Sequence, residues 1–249
     1  MLSDLQTQID KARDVKRADS ALGQWIGKLI DRATHVCLEE IVESSSLGLS
    51  VLPEQGGRQV RLPDDFGDLR QIDHAVCAEK ILLICESKWL KDKRHLNDKG
   101  SWIRLLADVA EVNEIAHVML VLAGPWESYR SRMERRGFKV SITPVAEVYE
   151  GLREHGVDIT IDESREAFDH PEEALTSLLD VLEGHLNSGV ADPVALLGGT
   201  ILQNQIPEIC ELFLESISSP SNQPFGRKAT IGSGCPNCGY TGQLPDSVS

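Results

Sequence analysis

The sequence predicts an α/β chain: a mixed central sheet flanked by helices, followed by a C-terminal helical part. Three observations predict it. Residues 72–76 and 81–89 read as two short apolar strands joined by the polar turn Ala78-Glu79-Lys80, a hairpin pattern. The second strand opens with Ile81-Leu82-Leu83-Ile84-Cys85, an unbroken apolar run suited to a central strand buried on both faces. Downstream, helical and strand-like patterns alternate as far as residue 161, as they do in layered α/β proteins.

In chain order, residues 3–19 predict a polar amphipathic helix and 20–45 a longer one beginning at Ser20. On the second, Leu22, Trp25, Ile26, Leu29, Ile30, Ala33, Val36, Cys37 and Ile41 form a helical stripe. Residues 48–52 and 59–62 read as a hairpin around Pro53-Glu54-Gln55-Gly56-Gly57, and Pro63-Asp64-Asp65-Phe66-Gly67 is a turn by composition. After the 72–89 hairpin come a helix over 101–114, a buried strand over 117–123, a helix over 125–136 and a strand over 138–142. A helix over 145–155 and an extended piece over 157–161 complete the alternation. Residues 171–187 and 193–218 look helical, the second interrupted by Pro207. These patterns divide the chain into N-terminal helices (1–45), an α/β core (46–162), an acidic helical region (163–218) and a tail rich in Ser, Pro and Gly (219–249).

Composition bounds the function. The 249 residues suit one α/β domain with appendages or two small domains, and the net charge of −14 argues against a general nucleic-acid coat protein. The acid is concentrated: residues 146–220 hold 16 Asp/Glu against 2 Arg/Lys, which suits a helical cover, a dimer surface or a protein-partner site rather than a nucleic-acid face. No run of 18 apolar residues exists and Met1-Leu2-Ser3-Asp4 has no apolar signal core, so a cytoplasmic protein without membrane contact is expected. Four of six cysteines (Cys37, Cys77, Cys85, Cys210) lie in apolar patterns, which favours buried thiols over a disulfide framework.

The candidate site lies at the end of the apolar strand. Side chains alternate, so Leu82, Ile84, Glu86 and Lys88 share a face and Ser87 points the other way. A carboxylate and an ammonium ending a buried strand are costly unless they pair or bind something. An antiparallel hairpin sets Asp73 beside Glu86. The bland account of the same residues is a salt bridge capping a core strand, and the tripeptide Asp14-Val15-Lys16 shows how easily an acid-x-Lys pattern arises inside a helix.

Asp73, Glu86 and Lys88, with 12 residues between the acids, resemble the motif of the PD-(D/E)xK nuclease superfamily, over about residues 35–125. The order α-β-β-β-α-β resembles that family's core. The resemblance implies a restriction-endonuclease-like fold and a DNA endonuclease of restriction-modification or antiviral-defence type, dependent on Mg²⁺ or Mn²⁺ and leaving 5′-phosphate and 3′-hydroxyl ends. It assigns Asp73, Glu86 and Lys88 to catalysis and Asp73, Glu86 and the Ser87 carbonyl to the metal. It further implies an acid from the helix preceding the sheet. Glu40, which falls on the apolar stripe, is the expected residue, with Glu43 second; a solvated Glu40 at the stripe's edge is the alternative. Pro63-Asp64 matches the family's letters, but Asp73 is preferred because it abuts the paired strand. Ser87 is more polar than the family's usual middle residue, and no acid or Gln stands out on the following helix. Two cuts on a duplex favour a homodimer. The competing class is a non-catalytic nuclease-like module serving as a protein-interaction or DNA-binding subunit.

Weaker signals surround the motif. Between Lys80 and Arg104 there are seven Arg/Lys, outnumbering the acids, and Lys91, Lys93, Arg94, Lys99 and Arg104 are candidates for gripping phosphates; a solvated loop is the alternative. Arg130, Arg132, Arg135 and Arg136 form a second basic run, with Glu127 and Glu134 as its acids. Trp89 can stack on a base or close the core. His74 is expected on the face opposite Glu86, as a structural histidine. Cys235-Pro-Asn-Cys238 resembles half of a zinc ribbon, so Zn²⁺ and a pair of redox-active or idle thiols both stay open. Leu197-Gly198-Gly199-Thr200 is too little for a phosphate loop.

Overall fold

The structure, a computed structural model, describes residues 2–11, 15–54, 59–93, 96, 99–162, 167–218 and 225, with 15 and 16 by backbone alone. In order, the elements are α1 (Leu2–Lys11), α2 (Val15–Ser45), β1 (Ser50–Leu52), β2 (Val60–Pro63), β3 (Leu69–Ile72), β4 (His74–Cys77), β5 (Ile81–Trp89), α3 (Lys99–Val112) and β6 (His117–Ala123). There follow α4 (Glu127–Glu134), β7 (Lys139–Thr143), α5 (Val145–Glu154), β8 (Thr160–Asp162), β9 (Ala167–Asp169), α6 (Pro171–Asn187), α7 (Pro193–Leu202) and α8 (Ile206–Ser218).

The predicted mixed sheet is present, in the order β1-β4-β5-β6-β7. β1, β4 and β5 are antiparallel neighbours, whereas β6 and β7 run parallel to β5. Alternation gives the sheet two apolar faces. Leu83, Cys85, Met119 and Val121 join one core with α1, α2, α5, α6, α7 and α8. Ile84, Val118, Leu120 and Leu122 join the other with α3, Trp126, Met133 and Phe138. The N-terminal helices and the acidic helical region therefore cover the same face together. Near the chain's end, the Phe225 N–H donates to the Ile115 carbonyl (2.9 Å) and its ring packs on Phe138 (4.8 Å between centroids), in the second core.

Three expectations are corrected. The long helix starts at Val15 rather than Ser20, because Ala18 and Leu22 continue one buried row and Ser20 is an exposed mid-helix residue. Residues 48–62 do not pair with each other. β1 joins the main sheet beside β4, where Val51 enters the first core, and β2 pairs with β3 across the 64–67 turn. The buried Asp64 carboxylate closes that turn by accepting from the N–H groups of Phe66 (2.9 Å) and Asp68 (3.0 Å) and from Arg70 Nε (2.8 Å). The letters Pro63-Asp64 thus belong to a hairpin tip. The helix over 193–218 is two helices, with Pro207 in the first turn of α8, where it forfeits no intrahelical bond. Among the described residues no helix is long and apolar enough to cross a membrane.

Gly198 sets how closely α7 approaches α2. A Cβ there would fall on the Leu29 carbonyl oxygen and within 2.9 Å of the Ala33 Cβ, whereas Gly199 faces open space. Gly198→Ala is expected to cost roughly 2–4 kcal/mol of stability by overpacking two backbones, in spite of alanine's better helix propensity. Gly199→Ala should be neutral or slightly stabilising. Urea denaturation of both variants is the check, and equal stabilities would show that the helices can move apart freely.

Candidate functional site

The β4–β5 register places the candidate residues. His74 lies opposite Cys85 and Ala75 opposite Ile84, so Asp73, one step beyond β4, faces Glu86. There the side chains take over the ladder. The Asp73 N–H donates to Glu86 Oε1 (3.0 Å), and the Ser87 N–H donates to Asp73 Oδ2 (3.1 Å). Each carboxylate is thereby oriented by the other strand's backbone. Glu86, only 3% exposed, shares the Ile84 face, and Lys88 follows it on that face with Nζ 5.4 Å from the centre of the Trp102 ring. Lys88 makes no ion pair among the described residues.

Two carboxyl groups this close and this buried cannot both ionise cheaply. Burial, and then the charge of Asp73, push Glu86 up to about 9. Burial and the charge of Asp31 raise Asp73. The Lys88 ammonium pulls both back only in part.

Asp31 on α2 is the site residue that the sequence reading missed. Its Oδ1 accepts from Ser87 Oγ (2.8 Å) and stands 3.0 Å from His74 Nε2, an ion-pair contact without hydrogen-bond alignment. Burial pushes Asp31 up, but His74 and the Ser87 hydroxyl outweigh it and hold the carboxyl below its ordinary range. His74 is on the face opposite Glu86, as expected, and its ring lies 5.3 Å from that of His35. The available signal was the row Gly23, Gly27, Asp31, His35, spaced by four along one edge of the apolar stripe.

Glu40 is elsewhere. It is exposed, nine residues further along α2, and its charge falls on the Cys37 thiol, which burial and then Cys210 push up to about 12. Lying at the edge of the stripe, it reaches solvent rather than the sheet end. Glu43 is exposed as well.

The basic segment is divided. Lys91 Nζ binds both carboxylate oxygens of Asp19 (2.8 and 2.6 Å) and lies 4.7 Å over the Phe168 ring, and Asp19 also accepts the Phe168 N–H (2.9 Å). Lys91 therefore ties the strand end to α2 and β9. Lys93 and Arg104 are exposed, and Lys99 opens α3 half-buried. Arg94 lies outside the described residues, as do Cys235 and Cys238. In the second run, Arg130 is bound to Glu127, Glu134 and Glu208, whereas Arg132, Arg135 and Arg136 are exposed.

A cavity of about 740 Å³ opens beside Asp31, Asp73, Ser87 and Lys88 and extends along α2 to Lys91 and Phe168. Among the described residues no group of three or more His, Cys, Asp or Glu side chains is placed to hold a metal ion. The donor set at the sheet end is two carboxylates, a number with which Mg²⁺ sites keep several waters. An acid pair whose charge Lys88 offsets only in part fits a divalent ion. Trp89 packs edge-on against Tyr149 (5.9 Å) and also lines this cavity.

No family model, curated protein or solved structure matches the chain.

The raised Glu86 has a thermodynamic signature. Its carboxyl keeps its proton in the folded chain up to about 9, while the unfolded chain ionises near the ordinary 4.5. Between those values the folded state binds more protons, so stability falls as pH rises through the window. In EDTA, Glu86→Gln should remove this fall and gain on the parent protein as pH increases. Saturating Mg²⁺ should flatten the parent's profile by a different route. Denaturation midpoints at stepped pH are the measurement, and parallel profiles for the two proteins would remove the buried-acid assignment.

Proposed function

We propose that the chain is a Mg²⁺-dependent DNA endonuclease of the PD-(D/E)xK, restriction-endonuclease-like kind, with Asp73, Glu86 and Lys88 as its catalytic residues. The observation that carries this reading is a buried and a half-buried carboxyl, each oriented by the facing strand's backbone, with a lysine on the same strand that has no carboxylate partner among the described residues. A salt bridge capping a core strand would have closed Lys88 onto one of the acids. Instead the ammonium is held over an aromatic ring, free to meet an anion. The antiparallel β1, β4 and β5, then α3 and the parallel β6, follow the α-β-β-β-α-β order of that superfamily once the β2–β3 hairpin is set aside as an insertion.

Asp73 and Glu86, with the Ser87 carbonyl, are the groups that would hold Mg²⁺. The ion, when bound, supplies an acidified water and neutralises charge on the phosphoryl group. The chain's own residues do the rest. The Ser87 and Asp73 N–H groups fix the carboxylates before substrate arrives, so no reorganisation is needed. Lys88 donates to a non-bridging phosphoryl oxygen or to the attacking water, and the Trp102 ring sets the direction from which it approaches. Asp31, held by His74 and Ser87, keeps the opposite face of the strand end rigid.

Asp73→Ala, Glu86→Ala and Lys88→Ala should each lower cleavage by about two orders of magnitude or more, the usual cost of losing a metal ligand or a transition-state charge partner. The experiment incubates parent and variants with plasmid, linear and single-stranded DNA, with Mg²⁺ or with EDTA, and checks folding by circular dichroism. Full activity in all three variants, or none in the parent with every substrate, would return these residues to a non-catalytic module.

A further inference from the structure

The C-terminal parts of α5, α6 and α7 meet, and two of them bring a histidine. His155 caps α5, and His185 stands in the last turn of α6. His155 Nδ1 lies 3.2 Å from His185 Nε2, and His155 Nε2 lies 2.8 Å from Thr200 Oγ1 on α7. The Thr200 hydroxyl donates to the Leu196 carbonyl (3.3 Å). With its one proton given there, it accepts from the His155 Nε2–H, and His155 Nδ1 is left as the unprotonated nitrogen, turned towards His185.

Metal-binding histidines are held in this way: the ring nitrogen away from the metal donates to a fixed acceptor, which sets the tautomer and the direction of the ring. Two nitrogens on one tetrahedral Zn²⁺, each about 2.0–2.1 Å from it, stand roughly 3.3 Å apart. The separation of His155 Nδ1 and His185 Nε2 is close to that. Both rings are half-buried, so an ion can approach them from solvent. Two histidines fill half of a tetrahedral site. Cys235-Pro-Asn-Cys238 is a C-x-x-C pair of the kind that supplies the other half in Cys₂His₂ sites.

These cysteines lie outside the described residues, but their reach is bounded by Phe225, which is fixed beside Ile115 and Phe138. β7 leaves Phe138 and rises through five residues, about 17 Å. After Pro144, α5 packs back over the first core for ten residues, about 15 Å. His155 therefore returns to the level of Phe138, on the other side of the sheet. Thr200 agrees with that level, because five residues later Gln205 Oε1 lies 3.3 Å from Ser141 Oγ on β7. The thickness to be crossed is a sheet and a helix layer, roughly 20 Å at about 10 Å each. The ten residues from Phe225 to Cys235 extend to about 33 Å, which is enough.

We infer that His155, His185, Cys235 and Cys238 of one chain form a closed tetrahedral zinc site that fastens the C-terminal tail to the ends of α5, α6 and α7. Nitrogen and sulfur donors suit Zn²⁺, whereas the oxygens of Asp73 and Glu86 suit Mg²⁺. The two sites take different ions, and neither depends on the other.

The test adds Co²⁺, then Zn²⁺, to the whole chain after its metal is removed and its thiols are reduced. Co²⁺ held by two thiolates and two imidazoles should give tetrahedral d–d bands and a sulfur-to-cobalt charge-transfer band, saturating at one ion per chain, and Zn²⁺ should displace it. Oxygen ligands give no sulfur band, so Asp73 and Glu86 are silent in this readout. Thr200→Val removes the acceptor that orients His155 and should weaken binding by about tenfold or more. His185→Ala and Cys238→Ser remove ligands and should each weaken it further than that, with circular dichroism of the metal-free variants as the check on folding. A parent without the sulfur band, or saturation at one ion per two chains, would overturn the inference. So would a sulfur band that His185→Ala leaves at full affinity, which would return the two rings to an ordinary hydrogen bond. Binding that Cys238→Ser leaves unchanged would overturn it equally, by releasing the tail from the histidines.

Discussion

The burial of one stripe of α2 governs the rest of the molecule. Leu22, Trp25, Ile26, Leu29 and Ile30 are fully enclosed between the sheet and the C-terminal helices. At roughly 2 kcal/mol per enclosed side chain, they contribute on the order of 10 kcal/mol, comparable to a domain's whole net stability. That packing fixes the height and rotation of α2 over β5. The row Gly23, Gly27, Asp31, His35 then has no freedom: its glycines meet Trp89 and its acid meets Ser87 and His74. The site is a by-product of where a hydrophobic helix must lie.

Charge is distributed unequally across the sheet end. On one side Asp31 has His74, so its anion is stabilised. On the other, Asp73 and Glu86 have each other and a lysine that does not touch them, so their anions are destabilised. A fold selected for stability alone would have paired Lys88 with Glu86 or replaced both with aliphatics, since buried ion pairs seldom add stability. The hydrogen bonds from the Asp73 and Ser87 backbone hold the acids in place against that repulsion.

The parts of this arrangement that sequence could reveal are those fixed by short-range rules. The polar turn at 78–80 announces the hairpin, but counted from that turn alone Asp73 would fall opposite Cys85; a bulge after Val76 skips Leu82 and shifts the ladder by one residue, which brings Asp73 opposite Glu86. The apolar run 81–85 announces a central strand, although the residues enclosed are 83–87, so burial runs past the apolar stretch into Glu86 and Ser87. Long-range choices were not legible. Lys91 finds Asp19, 72 residues earlier, and no local pattern distinguishes that ion pair from a solvated charge. Glu40 attracted notice by sitting on the stripe, whereas the acid at the site, Asp31, sits beside it; a charge on an apolar row is conspicuous in sequence and one on a glycine row is not. The segments 48–52 and 59–62 alternate equally well for two pairings, and only the main sheet's demand for an edge partner separates them.

Phe225 adds an ordering in time. The chain leaves α8, whose Ile209 and Phe213 complete the helical side, and seven residues past that helix it fills a gap beside Phe138 and Ile115 on the other side of the sheet. During synthesis the cluster around α3 must therefore wait, with an unplugged apolar hole, until Phe225 has emerged, long after α3 itself. Phe225 acts as a clasp on that cluster, and a nascent chain stalled before it carries an exposed apolar surface of the kind chaperones recognise.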